Sequence, residues 1–154
     1  MEMDDPLRLD RQVCFALAVA NRAVLGVYRP LLEPLGLTHP QYLVMLALWG
    51  EAPMSVKAIA EAIQLDSPTL SPLLKRLESA GLITRGRDSR DERNLVIDLT
   101  PAGVELRQQA LKIPPAVVDR LGVTLADLEE LHEVLTRVNA AARRSVAATA
   151  GVHA

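Results

Sequence analysis

The most restrictive feature of this chain is a pair of short helical patterns followed directly by two β-rich runs. The first pattern, VKAIAEAIQL, follows Ser55, and the second, PTLSPLLKRLESAG, follows Ser67. Both serines are good N-caps, and apolar residues recur at helical spacing in both segments. The runs LITRGR and NLVIDLT flank the polar segment DSRDER, which predicts a hairpin with a long tip. Residues 38–100 are therefore expected to form a small helical unit that carries one β-hairpin.

Helical patterns also cover both ends of the chain. Four further helices are predicted over residues 9–32, 39–49, 100–114 and 124–148, with Thr38, Thr100 and Thr124 as N-caps of the last three. The fold class is therefore mostly α with a small hairpin, and 154 residues are about the size of a single domain. The terminal helices carry more apolar residues than a small central unit can cover. A shared dimer interface would cover them.

The overall composition excludes some classes of protein and leaves others open. The net charge is -2, so a nucleic-acid partner would have to be bound by a local basic surface. Apolar runs such as residues 42–49 stop short of the roughly 20 residues that span a bilayer, so we expect no membrane contact. The acidic N-terminus has no basic leader and no apolar signal core. We therefore expect a cytoplasmic protein.

Two helices joined by a tight turn and followed by a hairpin are typical of a winged helix-turn-helix, whose second helix enters the major groove of DNA. That helix should then expose polar side chains that reach bases or phosphates. Its hydroxyls, its carboxylate and its two cations fit that need. The predicted contact residues are Asp66, Ser67, Thr69, Ser71, Lys75 and Arg76. The alternative is an ordinary solvated helix face.

The hairpin tip is a second candidate DNA contact. Arginines and acidic residues alternate between Arg85 and Arg93, and an arginine at such a tip can enter a narrow minor groove. Charged loops are usually only solvated, but this one directly follows the candidate recognition helix. The predicted wing residues are Arg87, Arg90, Asp91 and Arg93.

Cys14 is the single cysteine of the chain, which excludes a disulfide within one chain and a site made only of cysteines. A free cysteine is commonly a small buried hydrophobe, and the neighbours Val13 and Phe15 are apolar. Its position near a helix N-terminus, by contrast, favours the thiolate, which is the form that peroxides attack. Both interpretations stay open at this point.

Three runs of the chain together resemble a known family: LDRQVCFAL, YRPLLEPLGLTHPQYLVMLALW and LDSPTLSPLLKRLESAGLITRGRDSRDERNLVIDLTPAG. They are similar to the MarR family of winged helix regulators, and specifically to its organic-hydroperoxide-sensing OhrR branch. The resemblance implies a homodimer built from residues 7–34 and 101–146 that binds a pseudopalindromic operator and represses a peroxidase gene. It also implies release by oxidation of one cysteine to a sulfenic acid, followed by a mixed disulfide with a low-molecular-weight thiol or by higher oxidation.

The resemblance also assigns roles to individual positions. Cys14 matches the sensing thiol, and Tyr28 matches a hydroxyl that holds the thiolate from the partner subunit. Arg93 matches the wing arginine that enters the minor groove, and Asp91 matches its acidic companion.

Two positions depart from the family pattern, since His39 and Ala18 stand where tyrosines are usual. A protonated His39 near the thiol would favour the thiolate by charge attraction. His39 is otherwise a helix-start residue near solvent.

Three alternative functions remain open from the sequence. The first is a related regulator that is gated by a small aromatic or lipophilic ligand, with Cys14 incidental. A thiol peroxidase would need a resolving thiol and a positioned cation, and the sequence shows neither clearly. A scaffold that binds only protein does not explain the polar helix and the arginine-rich hairpin. We predict a regulator that is not an enzyme and has no cofactor and no metal site.

Overall fold

The computed structural model describes residues 5–87 and 95–152, which form seven α-helices and three short strands in those ranges. The chain divides at Pro114 and Pro115 into two compact units, so the prediction of a single domain stays a prediction. The mostly α fold with a small hairpin is confirmed. The elements are α1 (Val13–Leu32), α2 (His39–Glu51), β1 (Met54–Ser55), α3 (Val56–Ile63), α4 (Ser67–Ser79), β2 (Ile83–Arg87), β3 (Leu95–Leu99), α5 (Pro101–Ala110), α6 (Ile113–Leu121) and α7 (Leu125–Val152).

The N-caps predicted for α2, α3, α5 and α7 are confirmed. Thr38 forms a capping box with Gln41, in which each side chain bonds to the other residue's backbone N–H. The hydroxyls of Ser55 and Thr100 accept from the backbone N–H three residues later, and Thr124 does the same. Each cap satisfies an N–H that has no acceptor within its helix.

The predicted start of α4 is wrong by one residue. Asp66, not Ser67, is the N-cap, and its side chain makes no capping hydrogen bond to the backbone. Ser67 and Pro68 occupy the first two helical positions, where proline costs nothing. Pro72 is the sixth residue of α4, beyond the first turn, so the carbonyl of Pro68 lacks the N–H that a helix would normally offer it.

The three strands form an antiparallel sheet in the order β1-β3-β2. The predicted hairpin is confirmed, with Ile83 opposite Leu99 and Arg87 opposite Leu95. Strand β1 was not predicted, because two residues are too short to show a period of two. Met54 pairs with Ile97 there, which joins the start of α3 to the base of the hairpin.

The core of the first unit is formed by one side of α2, α3 and α4 with the hairpin. Its fully buried side chains come from every one of these elements, so the helices cannot shift independently without opening voids. Together with Leu32 at the end of α1, the largest are Val44, Met45, Leu48, Ile59, Leu70, Leu77, Ile83 and Ile97.

The predicted helix over residues 100–114 is wrong at its C-terminal end. Helix α5 ends at Ala110, and a separate helix, α6, begins at Ile113. The sequence pattern predicts a helix end at Pro114 and Pro115, because proline is unfavourable inside a helix. They lie in the first turn of α6, where the missing N–H has no helical acceptor to lose.

Helix α1 of the first unit and helix α7 of the second unit are both mostly exposed. In α1 only Leu32 is buried, whereas Phe15, Leu17 and Val19 are each about two-fifths exposed. The stretch Val13–Leu35 is long and apolar enough to cross a membrane by length and composition, with a mean hydropathy of 1.2. The expectation that no stretch reaches that length was therefore wrong. A helix whose apolar surface is covered by another protein chain shows the same apolar composition as a membrane-spanning helix.

Candidate DNA-binding surface and redox site

Helix α4 has one buried face and one polar, exposed face. Leu70, Leu73, Leu74 and Leu77 are buried, as predicted from their spacing. The six predicted contact residues all lie on the exposed side or at its start: Asp66, Ser67, Thr69, Ser71, Lys75 and Arg76. The apolar face fixes the helix against the core, so the polar face is held at a defined orientation toward solvent.

Two of these residues are bonded to each other. The Thr69 hydroxyl donates a hydrogen bond to the Asp66 carboxylate at the start of α4. The second carboxylate oxygen of Asp66 is still available as an acceptor. A carboxylate oxygen of this kind can accept a hydrogen bond from the amino group of cytosine. Ser71 and Lys75 are one turn apart on the same stripe, so a hydroxyl and a cation point in the same direction.

An ion pair that the sequence did not predict joins α4 to the hairpin. The Arg85 guanidinium on β2 donates to the Glu78 carboxylate in the last turn of α4, with a distance of 3.0 Å. The hydrogen bond from Arg85 lowers the pKa of Glu78. Arg85 therefore braces the base of the hairpin. Its only sequence signal was the alternation of charges in the hairpin.

The predicted wing residues fall at or beyond the end of the described strand. Arg87 is exposed as the last residue of β2. Arg90, Asp91 and Arg93 lie outside the described residues. Their roles at a hairpin tip stay predictions.

Cys14 is exposed in the first turn of α1, so its interpretation as a buried hydrophobe does not hold for the single chain. Tyr28 lies on the same helix, 14 residues further along. At 1.5 Å of rise per residue that separation is about 21 Å. The Cys14 thiol and the Tyr28 hydroxyl of one chain therefore cannot touch each other.

Tyr28, His39 and Tyr42 form an aromatic cluster between the C-terminal half of α1 and the start of α2. The ring centroids of Tyr28 and His39 are 5.0 Å apart in an edge-to-face arrangement, which is a favourable geometry for aromatic pairs. Tyr42 lies 6.0 Å from Tyr28 and 6.3 Å from His39. The sequence analysis named Tyr28 and His39 but missed Tyr42, whose signal is its spacing of three residues from His39 on one helix.

Burial shifts the pKa values of His39 and Tyr42. Burial lowers the pKa of His39 below its usual 6.5, since an imidazolium loses solvation there. Burial, and then the charge of Tyr28, raise the pKa of Tyr42. Within one chain His39 is therefore a neutral imidazole at pH 7, which does not favour the proposed charge attraction to a thiolate.

Beside the cluster the ends of α1 and α2 enclose a cavity of about 540 Å³. Its walls are mostly apolar, and its ionisable lining residues are Arg29, Glu33 and His39. The lining includes Leu25, Arg29, Leu32, Leu37, His39 and Pro40. In the described parts of the chain no three His, Cys, Asp or Glu side chains come together in a way that holds a metal ion.

Known proteins match both the sequence and the fold. A model of the MarR family matches residues 37–95. The chain is 41% identical to the organic hydroperoxide resistance transcriptional regulator of Bacillus subtilis, over 85% of this chain and 89% of that protein. The chain belongs to the MarR family. It is also 46% identical to the HTH-type transcriptional regulator TtmR of Methylorubrum extorquens, over 86% of this chain and 68% of that protein.

Solved structures of MarR-type regulators agree with this assignment. Reduced AbfR bound to DNA superimposes with a TM-score of 0.79 at 32% identity, covering 93% of this chain and 98% of that chain. Overoxidized AbfR bound to DNA gives 0.68 at 36% identity, with 88% and 99% covered. This MarR protein is therefore a DNA-binding transcriptional regulator with a winged helix-turn-helix fold. Its relatives are regulators and not enzymes.

Proposed function

We propose that this protein is a homodimeric repressor of an organic hydroperoxide resistance gene and leaves its operator when Cys14 is oxidised. The observation that carries the proposal is an exposed thiol at the start of α1 in a chain that is 41% identical to an organic hydroperoxide resistance regulator. Such a repressor acts in the cytoplasm, where its operator is.

The chemistry requires only the thiolate and a hydroperoxide. The Cys14 sulfur attacks the terminal oxygen of the hydroperoxide, so that an S–O bond forms and the O–O bond breaks. The sulfur is oxidised to a sulfenic acid, and the leaving alkoxide takes up a proton to become an alcohol. A low-molecular-weight thiol then displaces water from the sulfenic acid to give a mixed disulfide, because no second cysteine exists in the chain.

Dimerisation supplies the rest of the sensing site. The family resemblance assigns Tyr28 as the hydroxyl that holds the thiolate. Since Cys14 lies about 21 Å of helix rise from its own Tyr28, we assign this role to Tyr28 of the partner subunit. The exposed apolar faces of α1 and α7 provide the surface for that contact, with Phe15, Leu17, Leu131 and Val138 each at least 38% exposed. His39, neutral in this cluster, serves as a hydrogen-bond partner where the family has a tyrosine.

DNA binding is assigned to the polar face of α4 and to the hairpin. The hydroxyls and carboxylate at the start of α4 contact base edges, whereas Lys75 and Arg76 contact phosphates. Arg87, Arg90 and Arg93 enter or border the minor groove, and Asp91 braces Arg93. Two copies of this unit fit a pseudopalindromic operator with half-sites about one helical turn apart.

One observation favours a second candidate function. The cavity of about 540 Å³ beside His39 has the size and the mostly apolar lining of a small-molecule site. A regulator gated by a small aromatic or lipophilic ligand would use this cavity, and Cys14 would then have no role in release.

The test measures DNA affinity by fluorescence anisotropy, before and after about one equivalent of cumene hydroperoxide, with Cys14 oxidation followed by intact mass. The probe is a duplex that the reduced wild-type protein selects from a random-sequence library. Cys14→Ser is the matched control, because it changes one atom and removes the only thiol of the chain.

Release of the wild type together with retention of Cys14→Ser on DNA is the expected result. Oxidation of Cys14 without any loss of affinity would contradict the proposal. If Cys14→Ser still responds to an added lipophilic ligand, the ligand-gated function becomes the better account.

A further inference from the structure

Trp49, which the DNA-binding and sensing sites do not use, makes one specific contact at the junction of three elements. It is the only tryptophan of the chain, and its indole Nε1 donates a hydrogen bond of 2.9 Å to the carbonyl oxygen of Gly103. Trp49 lies near the end of α2, and Gly103 lies in the first turn of α5. The contact joins residues that are 54 positions apart in sequence.

Gly103 in turn lies against the segment that connects α4 to the hairpin. A Cβ atom at this position would overlap the carbonyl oxygen of Leu82, so only glycine permits this approach without a shift. The backbone N–H of Thr100 donates to the same carbonyl at 3.1 Å, and the Thr100 hydroxyl donates to the carbonyl of Gly81 at 2.6 Å. The start of α5 is thereby fixed to the segment that directly follows the recognition helix.

The hydrogen bond from the Trp49 indole is not needed to give the Gly103 carbonyl of α5 a donor. Within α5 the Gly103 carbonyl has the backbone N–H four residues later as its regular helical donor, and a carbonyl oxygen has two lone pairs. The bond from Trp49 is therefore an additional one. Its effect is to fix where the end of α2 lies relative to the start of α5.

Helix α2 links this junction to the aromatic cluster. Tyr42 and Trp49 are seven residues apart, which places them on the same face about two turns apart. Between them Val44, Met45 and Leu48 are fully buried, so this length of α2 is packed tightly against the core. The position of α2 is therefore fixed both at the aromatic cluster and at Gly103.

We propose that Trp49 is a positioning residue for DNA recognition, which acts through Gly103 to hold the recognition helix and the hairpin base in the arrangement that reads a specific sequence. The inference rests on DNA binding alone. It stands whether or not Cys14 senses a peroxide, and its failure leaves the redox proposal untouched.

The test compares two DNA affinities of the reduced, full-length protein. One probe is the duplex selected by the wild type, and the other is a duplex of the same length with random sequence. Trp49→Phe keeps an aromatic ring but removes the N–H donor. Leu46→Ala is the matched control, because Leu46 lies on the same face of α2 and is exposed but has no hydrogen bond to lose.

Trp49→Phe is expected to lower the ratio of specific to non-specific affinity by about three- to tenfold, the effect of one lost hydrogen bond. Non-specific binding comes from phosphate contacts, so it should stay the same, and Leu46→Ala should leave the ratio unchanged. A purely structural role would lower both affinities together by reducing the folded fraction. An unchanged ratio, or an equal loss in both affinities, would overturn the proposal.

If Trp49→Phe does not fold, benzothienylalanine at position 49 replaces the N–H by sulfur with almost the same shape. The same loss of ratio is expected from this variant. A wild-type ratio would overturn the proposal in that case too.

Discussion

Helices α1 and α4 both expose much of their length, but their exposed surfaces differ in chemistry. The exposed side chains of α4 and its N-cap include hydroxyls, a carboxylate and two cations, whereas those of α1 include Phe15, Leu17 and Val19. A polar face on a helix that is packed along its other side suits a charged, hydrated partner such as DNA. An apolar face that the chain itself leaves open suits another protein surface. Exposure alone therefore says little about function until the chemistry of the exposed atoms is considered.

The two helices also differ in how they are held. Four leucines of α4 are buried, whereas α1 has a single buried residue. The recognition helix is thus already in place in one subunit. Most of α1 has no such packing in the single chain, and in the proposed dimer its apolar face is the surface that the partner subunit would cover.

The largest expected effect comes from placing a charge on the apolar face of α1. Leu17→Glu should raise the dimer dissociation constant by at least about 100-fold, because an unpaired charge would be buried in the interface. Sedimentation equilibrium measures this constant directly. Leu95→Glu is the control, since Leu95 is 43% exposed and Leu17 is 40% exposed. Equal dissociation constants for both variants would show that α1 does not form the interface.

A smaller effect is expected on the polar face of α4. Lys75→Ala should weaken DNA binding and reduce the slope of log affinity against log salt concentration by about 1, as for one lost phosphate contact. Lys57→Ala on α3 removes another exposed lysine and is the control. The dimer dissociation constant should stay at the wild-type value in both variants. An identical salt slope for Lys75→Ala and the wild type would remove Lys75 from the DNA contact.

The turn before α4 allows a third test, on stability. Gln64 ends α3 in the left-handed conformation, with φ of 56°, which is unfavourable for a residue with a Cβ atom. Gln64→Gly should therefore stabilise the protein by about 0.5–1 kcal/mol, measured by urea unfolding at fixed protein concentration. Gln64→Ala, which keeps the Cβ atom, should give no such gain. A destabilised Gln64→Gly variant would contradict this account of the turn.

The smallest expected effects are two pH-dependent losses of stability, one from His39 at the start of α2 and one from Glu78 near the end of α4. The pKa of His39 is lowered by burial, so the unfolded chain binds this proton more readily. Stability is therefore complete above about pH 6.5 and falls as the pH drops through the folded-state pKa. The pKa of Glu78 is lowered by its hydrogen bond to Arg85, so its contribution is lost only at more acidic pH, below about 4.5.

Chemical unfolding at a series of pH values measures both contributions. His39→Phe should remove the first loss of stability and keep the second, whereas Glu78→Gln should do the reverse. If His39→Phe leaves the pH profile unchanged, His39 does not titrate in the cluster as described.

The sequence predicted those parts of the fold that depend on local chemistry. The caps at Thr38, Ser55, Thr100 and Thr124 and the leucine spacing of α4 are local signals, and the structure confirms them. The Ser67 cap was wrong by one residue. The strand β1 and the ion pair between Glu78 and Arg85 depend on residues that meet only in the folded chain. The prediction of the end of α5 was wrong because the signal from Pro114 and Pro115 is ambiguous. Proline is found both after the end of a helix and in the first turn of the next one.

The candidate site was predicted less completely than the fold. Cys14, Tyr28 and His39 were named from the resemblance, but the burial that keeps His39 neutral is a property of packing. Tyr42 and Trp49 looked like ordinary core residues of an apolar helix. Their ring contacts and the bond to Gly103 appear only when α1, α2 and α5 are placed together.

In the proposed dimer the Cys14 thiolate of one subunit is held by Tyr28 of the partner subunit. Mixed dimers test this arrangement most directly. Tyr28→Phe and Cys14→Ser chains are combined, and the oxidation rate of Cys14 in the Tyr28→Phe chain is measured by intact mass. In the mixed dimer this thiol faces an intact Tyr28, so it should react at the wild-type rate, whereas in the Tyr28→Phe homodimer it should react more slowly. Equal rates in the mixed dimer and in that homodimer would contradict a site shared between subunits.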